Sequence, residues 1–345
     1  MVCKHFSIHP SRQETLMGMI IGLMTGANVH MSSLSRGVLS ATPASSLRRT
    51  ERFFQKESLK PSEYAKAIVK LLKFEGQFSL CLDRTNWKFG NKNINYLVLS
   101  WRINKLISLP LFFRELDKAG NSNAGERIDL LDQFDAVFGT ERIHSLNGDR
   151  EFIGRQWIAR LQEKNIPFFI RVKENTQIWN GAQKVSCKKM FDHLYPGIHR
   201  VIESEINETK LLYAATRAQK GDLVIVMTNQ IVSAKKILTQ YRKRWSIEEM
   251  FKKLKTGGFH WENTHIKKSP RLINLIIILG IAALFVYKMG IGTKIPWKKT
   301  LQCSLRSLFK QGLINFAHIA MQGLKKILTH MMEIIQNQGI IICLS

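Results

Sequence analysis

Gln77-Phe78-Ser79-Leu80-Cys81-Leu82-Asp83 is the stretch on which the fold turns. Phe78, Leu80 and Leu82 alternate with Ser79, Cys81 and Asp83, the two-residue period of a strand, and Asp83 stands at its end. Two more strand-like runs follow, residues 96–102 and 106–113, parted by a short turn around Asn104. The rhythm then changes. Residues 124–138 read as helix, 143–146 as a short strand running into Asn147-Gly148-Asp149, 151–164 as helix and 167–173 as strand. Three meandering strands followed by strand-helix-strand units predict an α/β fold with a mixed five-stranded sheet flanked by helices.

Working outward, residues 13–26 are patterned as a helix, 31–39 as a second with Ser32 or Ser33 as N-cap, 46–55 as a third, and 62–74 as the helix leading into the first strand. Arg48, Arg49, Arg52 and Lys56 near the third helix fit a helical DNA-binding head, and equally a small helical cap with solvated arginines. Residues 174–228 carry strand-like runs at 211–216 and 223–228 and turns at Asn180-Gly181 and Gly221, a β-rich insertion. A long helix is expected from Ser233 to about Lys255, stopped by Gly257-Gly258. The expected division is a helical N-terminal DNA-binding region (1–75), a catalytic domain (76–268) and a helical C-terminal region (269–345).

The 345 residues include 52 Lys and Arg against 26 Asp and Glu, a formal net charge of +26. A polyanion is the expected partner, since neutralising phosphates releases counterions. The cations are spread along the chain, which favours a folded surface tracking a phosphate path over a disordered tail. Five scattered cysteines without a C-x-x-C pair suggest neither a disulfide framework nor a zinc knuckle, and a reducing cytosol fits. Residues 272–287 lack charge, but Arg271 and Lys288 bound them at sixteen residues, short of the about 20 that cross a bilayer, so a buried helix is expected. No G-x-x-x-x-G-K-[ST] loop is present, and nucleotide hydrolysis is not indicated.

On an ideal helix Tyr241, Arg244, Glu248 and Lys255 fall within about 60° of one another, beside an apolar stripe of Ile247, Met250, Phe251 and Leu254. A carboxylate between an arginine, a lysine and a tyrosine hydroxyl suits a metal ion next to a phosphate. A solvated basic helix would show a similar pattern. Trp245 has two readings, stacking on a base or packing in the core beside the stripe.

Tyr241, Arg244, Glu248 and Lys255 satisfy Y-x2-R-x3-E-x6-K, and the chain thereby resembles the DDE transposases grouped as insertion-sequence family four. Asp83-Arg-Thr-Asn-Trp87, Gly120-Asn-Ser-Asn123 and Asp149-Arg-Glu-Phe-Ile-Gly154 are similar to further landmarks of that family, in the family's order from about Arg48 onward. The resemblance implies a ribonuclease-H-like sheet with a β-rich insertion. It also implies that Asp83, Asp149 and Glu248 are catalytic and hold two Mg²⁺ ions, for which Mn²⁺ substitutes. Tyr241, Arg244 and Lys255 would grip phosphate near the cut, with Arg48, Arg49 and Trp245 as further DNA contacts. Double-stranded DNA is the implied partner, as terminal inverted repeats and target, handled by a homodimer with no membrane or nucleotide cofactor, in a bacterial cytoplasm at the nucleoid. The rival expectation is an inactive relative that binds element ends as a regulator. Asp83 as a turn residue, or Asp149 as N-cap of the following helix, would need no chemistry.

Overall fold

Alternation along the first strand sorts its side chains to two sides of a sheet, and each side meets a different helical layer. The computed structural model describes residues 2–206, 209–219, 221–291, 297–298, 303–304, 307–323, 329 and 333. Its strands are β1 (Phe78–Phe89), β2 (Lys92–Arg102), β3 (Ser108–Glu115), β4 (Ile143–Gly148), β5 (Phe168–Val172), β6 (Gln177–Trp179), β7 (Lys184–Ser186), β8 (His199–Ile206), β9 (Thr209–Arg217) and β10 (Leu223–Thr228). The helices are α1 (Pro10–Gly26), α2 (Met31–Ser35), α3 (Pro43–Lys56), α4 (Pro61–Leu71), α5 (Ala124–Phe138), α6 (Arg155–Glu163), α7 (Cys187–Met190), α8 (Ala234–Arg242), α9 (Trp245–Leu254), α10 (Ser269–Gly290) and α11 (Leu308–Ala320).

The main sheet has the order β3-β2-β1-β4-β5-β10-β9-β8. β1 pairs antiparallel with β2 and parallel with β4, and β4 pairs parallel with β5. These five strands are the expected ribonuclease-H-like set. The sheet does not stop there: β10, β9 and β8 from the insertion continue it, antiparallel, past β5. The cause lies in β10, where Ile225 and Met227 enter one apolar cluster and Val226 the other. A strand apolar on both faces belongs inside a sheet and cannot serve as an isolated edge.

Phe78 packs edge-on against Phe134 of α5, ring centroids 5.3 Å apart, so the Phe78, Leu80 and Leu82 side faces α5. On the other side the Cys81 thiol reaches the Lys243 carbonyl, 3.6 Å, and the Ser246 hydroxyl, 3.7 Å. Asp83 therefore faces the junction of α8 and α9.

Several boundaries differ from expectation, above all that of β1, which runs on to Phe89, so that Asp83 lies within the strand and not at its end. The long helix from Ser233 breaks into α8 and α9, with three-residue hydrogen bonds from Arg244 to Tyr241 and from Ile247 to Arg244 marking a tightened turn. α2 begins after His30 and ends at Ser35, so neither Ser32 nor Ser33 caps it. α3 starts at Pro43, capped by the Thr42 hydroxyl. Residues 149–154 form a loop, α6 starting only after Gly154, so Asp149 is not its N-cap.

α10 is apolar all round and is buried inside the protein, its exposed residues gathered at its N-terminal end. By length and composition it would also span a bilayer, but 89% of its most apolar 18-residue window is covered by other parts of the chain. It packs on α1, α4 and α11, and residues of all four helices share one apolar cluster. Asn274, fully buried in α10, accepts from the Leu59 N–H and donates to the Glu57 carbonyl, both at 2.9 Å. Asn274→Ala leaves both backbone groups without a partner and is expected to cost about 2 kcal/mol in denaturant unfolding. A loss below a few tenths would show that water replaces the amide.

Candidate active site

Asp83 and Asp149 are neighbours because their strands are. In the parallel β1–β4 ladder Leu82 pairs with Gly148, so the next residue along each segment is a carboxylate, Asp83 within β1 and Asp149 just past β4. Asp83 Oδ1 accepts the Arg84 N–H at 2.7 Å and its Oδ2 lies 3.4 Å from Arg244 Nη1. Tyr241 Oη donates to Asp149 Oδ1 at 3.3 Å and accepts from Arg244 Nε at 3.2 Å. Arg244 Nη2 stands 2.5 Å from Glu248 Oε1. One arginine and one tyrosine at the α8–α9 junction thus connect all three acids, which lie far apart in sequence. The break in the helix preserves the i to i+3 and i to i+4 proximity of Tyr241, Arg244 and Glu248.

A loop scaffold surrounds this cluster. Arg84 donates to Glu151, with Nη2 3.2 Å from Oε2, and to Asn121 Oδ1 at 3.1 Å. Arg127, buried in α5, donates to the Glu151 and Ile153 carbonyls and to the Ser122 hydroxyl, holding the 149–154 loop against the 120–123 loop. Asn95 fixes the second loop through the Lys118 and Gly120 carbonyls, both at 3.0 Å. The sequence offered no periodic signal for Arg84 or Arg127 in this role. Glu151 serves this scaffold as the partner of Arg84, while Arg150 is exposed.

Burial pushes the Asp83 carboxyl up to about 6. The Arg84 N–H and the Arg244 cation oppose the rise, and the charges of Glu151 and Asp149 reinforce it. Burial disfavours the Arg244 cation, but Tyr241, Asp149 and Glu248 outweigh it and hold its pKa above the usual arginine value. Burial likewise raises Tyr241, so its hydroxyl keeps the proton it donates to Asp149. Among the described residues no group of three or more His, Cys, Asp or Glu side chains is gathered closely enough to hold a metal ion. Arg244 is instead the shared counter-charge of the acids. Their chemistry, hard carboxylate oxygens around a common cation, fits hard divalent ions.

The remaining expected residues are dispersed. Lys255 caps α9, its ammonium 2.5 Å from Glu262 and over the Trp87 ring, away from the carboxylates' own contacts. Trp245 is 62% exposed, which rules out the core reading, and lines a cavity of about 740 Å³ with Arg171, Arg242 and Arg244. Arg48 is exposed on α3. Arg49 is occupied within the protein, donating to the Leu39 carbonyl at 2.6 Å and the Thr15 hydroxyl at 3.2 Å, and so braces α3 on α1.

A β3-β2-β1-β4-β5 sheet with one acid within β1 where its parallel pairing with β4 ends, one just past the end of β4, and one on a helix packed over β1–β3 defines a ribonuclease-H-like protein with a carboxylate site. Residues 109–285, slightly more than half of the chain, match the family model described as Transposase DDE domain, and the chain belongs to that family. The matched span contains Asp149 and Glu248 and begins after Asp83. No curated protein matches the chain. Among solved structures, a piggyBac transposase, described as a synaptic complex with hairpin DNA, is 11% identical, with 96% of this chain and 76% of that chain covered and a TM-score of 0.45.

Proposed function

We propose that this DDE-family chain is the transposase of an insertion sequence of family four, cutting DNA at the element's ends and joining the freed 3′ ends to target DNA. The observation that supports this is the junction of Tyr241 and Arg244, which links Asp83 within β1, Asp149 just past β4 and Glu248 on α9. Asp83, Asp149 and Glu248 would hold divalent ions, Mg²⁺ or Mn²⁺. Bound there, such ions supply polarisation of the phosphate and activation of the attacking hydroxyl.

The chain's own groups do the rest. Arg244 is a planar fork suited to phosphate oxygens, and Tyr241 orients Asp149 through its hydroxyl. Lys255 and the exposed Trp245 extend the contact to neighbouring nucleotides, and Arg48 on the N-terminal helices contributes to holding the terminal repeat. Arg49, being occupied, orders that region. A homodimer on paired ends is the working unit, in a bacterial cytoplasm.

Incubating the purified protein with labelled terminal-repeat duplex and Mg²⁺ or Mn²⁺ tests the reading. Strand nicking at the repeat end is expected with either ion and none in EDTA. Binding without nicking under both metals would leave a DNA-binding regulator and overturn the enzyme.

A further inference from the structure

The outward side of α8 is cationic and carries no acid. Lys235, Lys236 and Arg242 are exposed and Lys243 is half-buried, while Ala234, Ile237, Leu238 and Tyr241 fix the opposite side to the sheet. Gln240 Nε2 donates to Ser145 Oγ at 2.7 Å, which pins the rotation of the helix. Among the described residues none of the four cations forms an ion pair, whereas Lys253 and Lys255 one helix further on are paired with Glu249 and Glu262.

These cations crowd others. A cavity of about 490 Å³ runs along the flank of α8, with His144, Lys235, Lys236 and Lys243 in its lining. Burial and the neighbouring Arg102 both lower Lys243, and burial and Lys243 both lower His144. Lys235 and Lys236 also sit in the first turn of α8, where the helix dipole disfavours positive charge and no acid offsets it. A solvated helix face ordinarily mixes signs. Uncompensated like charge on a rigid element marks a place where the chain's own stability is not what the residues serve.

We propose that the cationic side of α8 is a binding track for the sugar-phosphate backbone of duplex DNA. This rests on the transposase reading in taking DNA as the substrate. A helix of nine residues is about 13 Å long, and at 3.4 Å per step on one strand it spans about four base-pair steps. Contacts of this kind hold the duplex in place without reading its sequence.

The test is the salt dependence of binding to a linear duplex of arbitrary sequence, in EDTA so that no cleavage intervenes. Lys235→Gln, Lys236→Gln and Lys243→Gln together are compared with an equal charge change at the exposed Lys184, Lys188 and Lys189 of β7 and α7. In the α8 triple variant the slope of log K against log salt is expected to become shallower by about 2.7, roughly 0.9 for each lost phosphate contact. The variant at β7 and α7 should change it by less than about one. Equal slopes in the two triple variants, both melting like the parent, would overturn the track. Should the triple variant fold poorly, Lys235→Gln alone, at an exposed position, is expected to remove about 0.9, and an unchanged slope overturns the proposal. A chain that binds through α8 yet never nicks with Mg²⁺ or Mn²⁺ sinks the transposase reading and leaves the track. One that nicks with a slope indifferent to α8 sinks the track alone.

Discussion

Glu248→Gln or Asp149→Asn is expected to slow end nicking by at least about 10³-fold while leaving affinity for the same duplex within about threefold. Each substitution keeps the side chain's size and one acceptor oxygen. Glu248→Gln therefore retains a hydrogen bond to Arg244, and Asp149→Asn one from Tyr241, so the junction of α8 and α9 stays assembled. What is lost is the negative charge that would hold a divalent ion against the phosphate. Binding should not weaken, since removing an acid beside a phosphate relieves repulsion. Single-turnover nicking with Mg²⁺, beside gel-shift titration of the same DNA, measures both. Nicking within tenfold of the parent in either variant would remove that carboxylate from the chemistry.

Asp83→Asn should raise the melting temperature at pH 8 by a few degrees and abolish nicking. Folding raises the Asp83 pKa from 3.8 to about 6, chiefly through burial. The folded state therefore holds this proton more tightly than the unfolded chain. The stability that the neutral carboxyl contributes is fully present below about pH 4 and is lost as pH rises through about 6. Above that, a buried anion costs up to about 3 kcal/mol, which the amide avoids. The gain from Asp83→Asn should accordingly vanish below about pH 4, where both side chains are neutral. Mg²⁺ or Mn²⁺ should raise the melting temperature of the parent at pH 8 and leave that of the variant nearly unchanged. A variant that melts lower than the parent at pH 8 would mean that the Arg244 pair outweighs the burial of the charge.

The stability of the site in the absence of ions follows from the same balance. Two acids, Asp83 and Glu248, contact one guanidinium and Asp149 is tied to it through Tyr241, so Arg244 can neutralise only part of their charge. The Arg84–Glu151 pair and the Arg127 clamp on the loop carbonyls carry the remaining load by holding the loops where the acids emerge. A site that tolerates such crowding is suited to ligands that bring positive charge.

Much of the central sheet was legible in the linear chain because its cause is local. The two-residue alternation in residues 77–83, the helix over 124–138 with its Asn123–Glu126 capping box, and the apolar run after Arg271 each decide their own secondary structure. The spacing of Tyr241, Arg244 and Glu248 is likewise local, since one turn of helix brings them together with or without the break at Lys243. Asp83 does not end its strand, and its nearness to Asp149 comes from the parallel β1–β4 pairing, which ends at Leu82 and Gly148.

Tertiary structure alone decided the rest. Nothing local marks Arg84 and Arg127 as loop clamps, because their partners lie on other elements. Whether β8–β10 form a separate insertion or extend the main sheet depends on which faces of β10 find cover. Arg49 turned inward, against both of its readings, and Trp245 outward, which excludes only the core reading of its two, since burial is set by what packs above a residue. Periodicity determines which side of an element is apolar; only the assembled chain determines what that side meets, because packing partners are chosen by contacts distant in sequence.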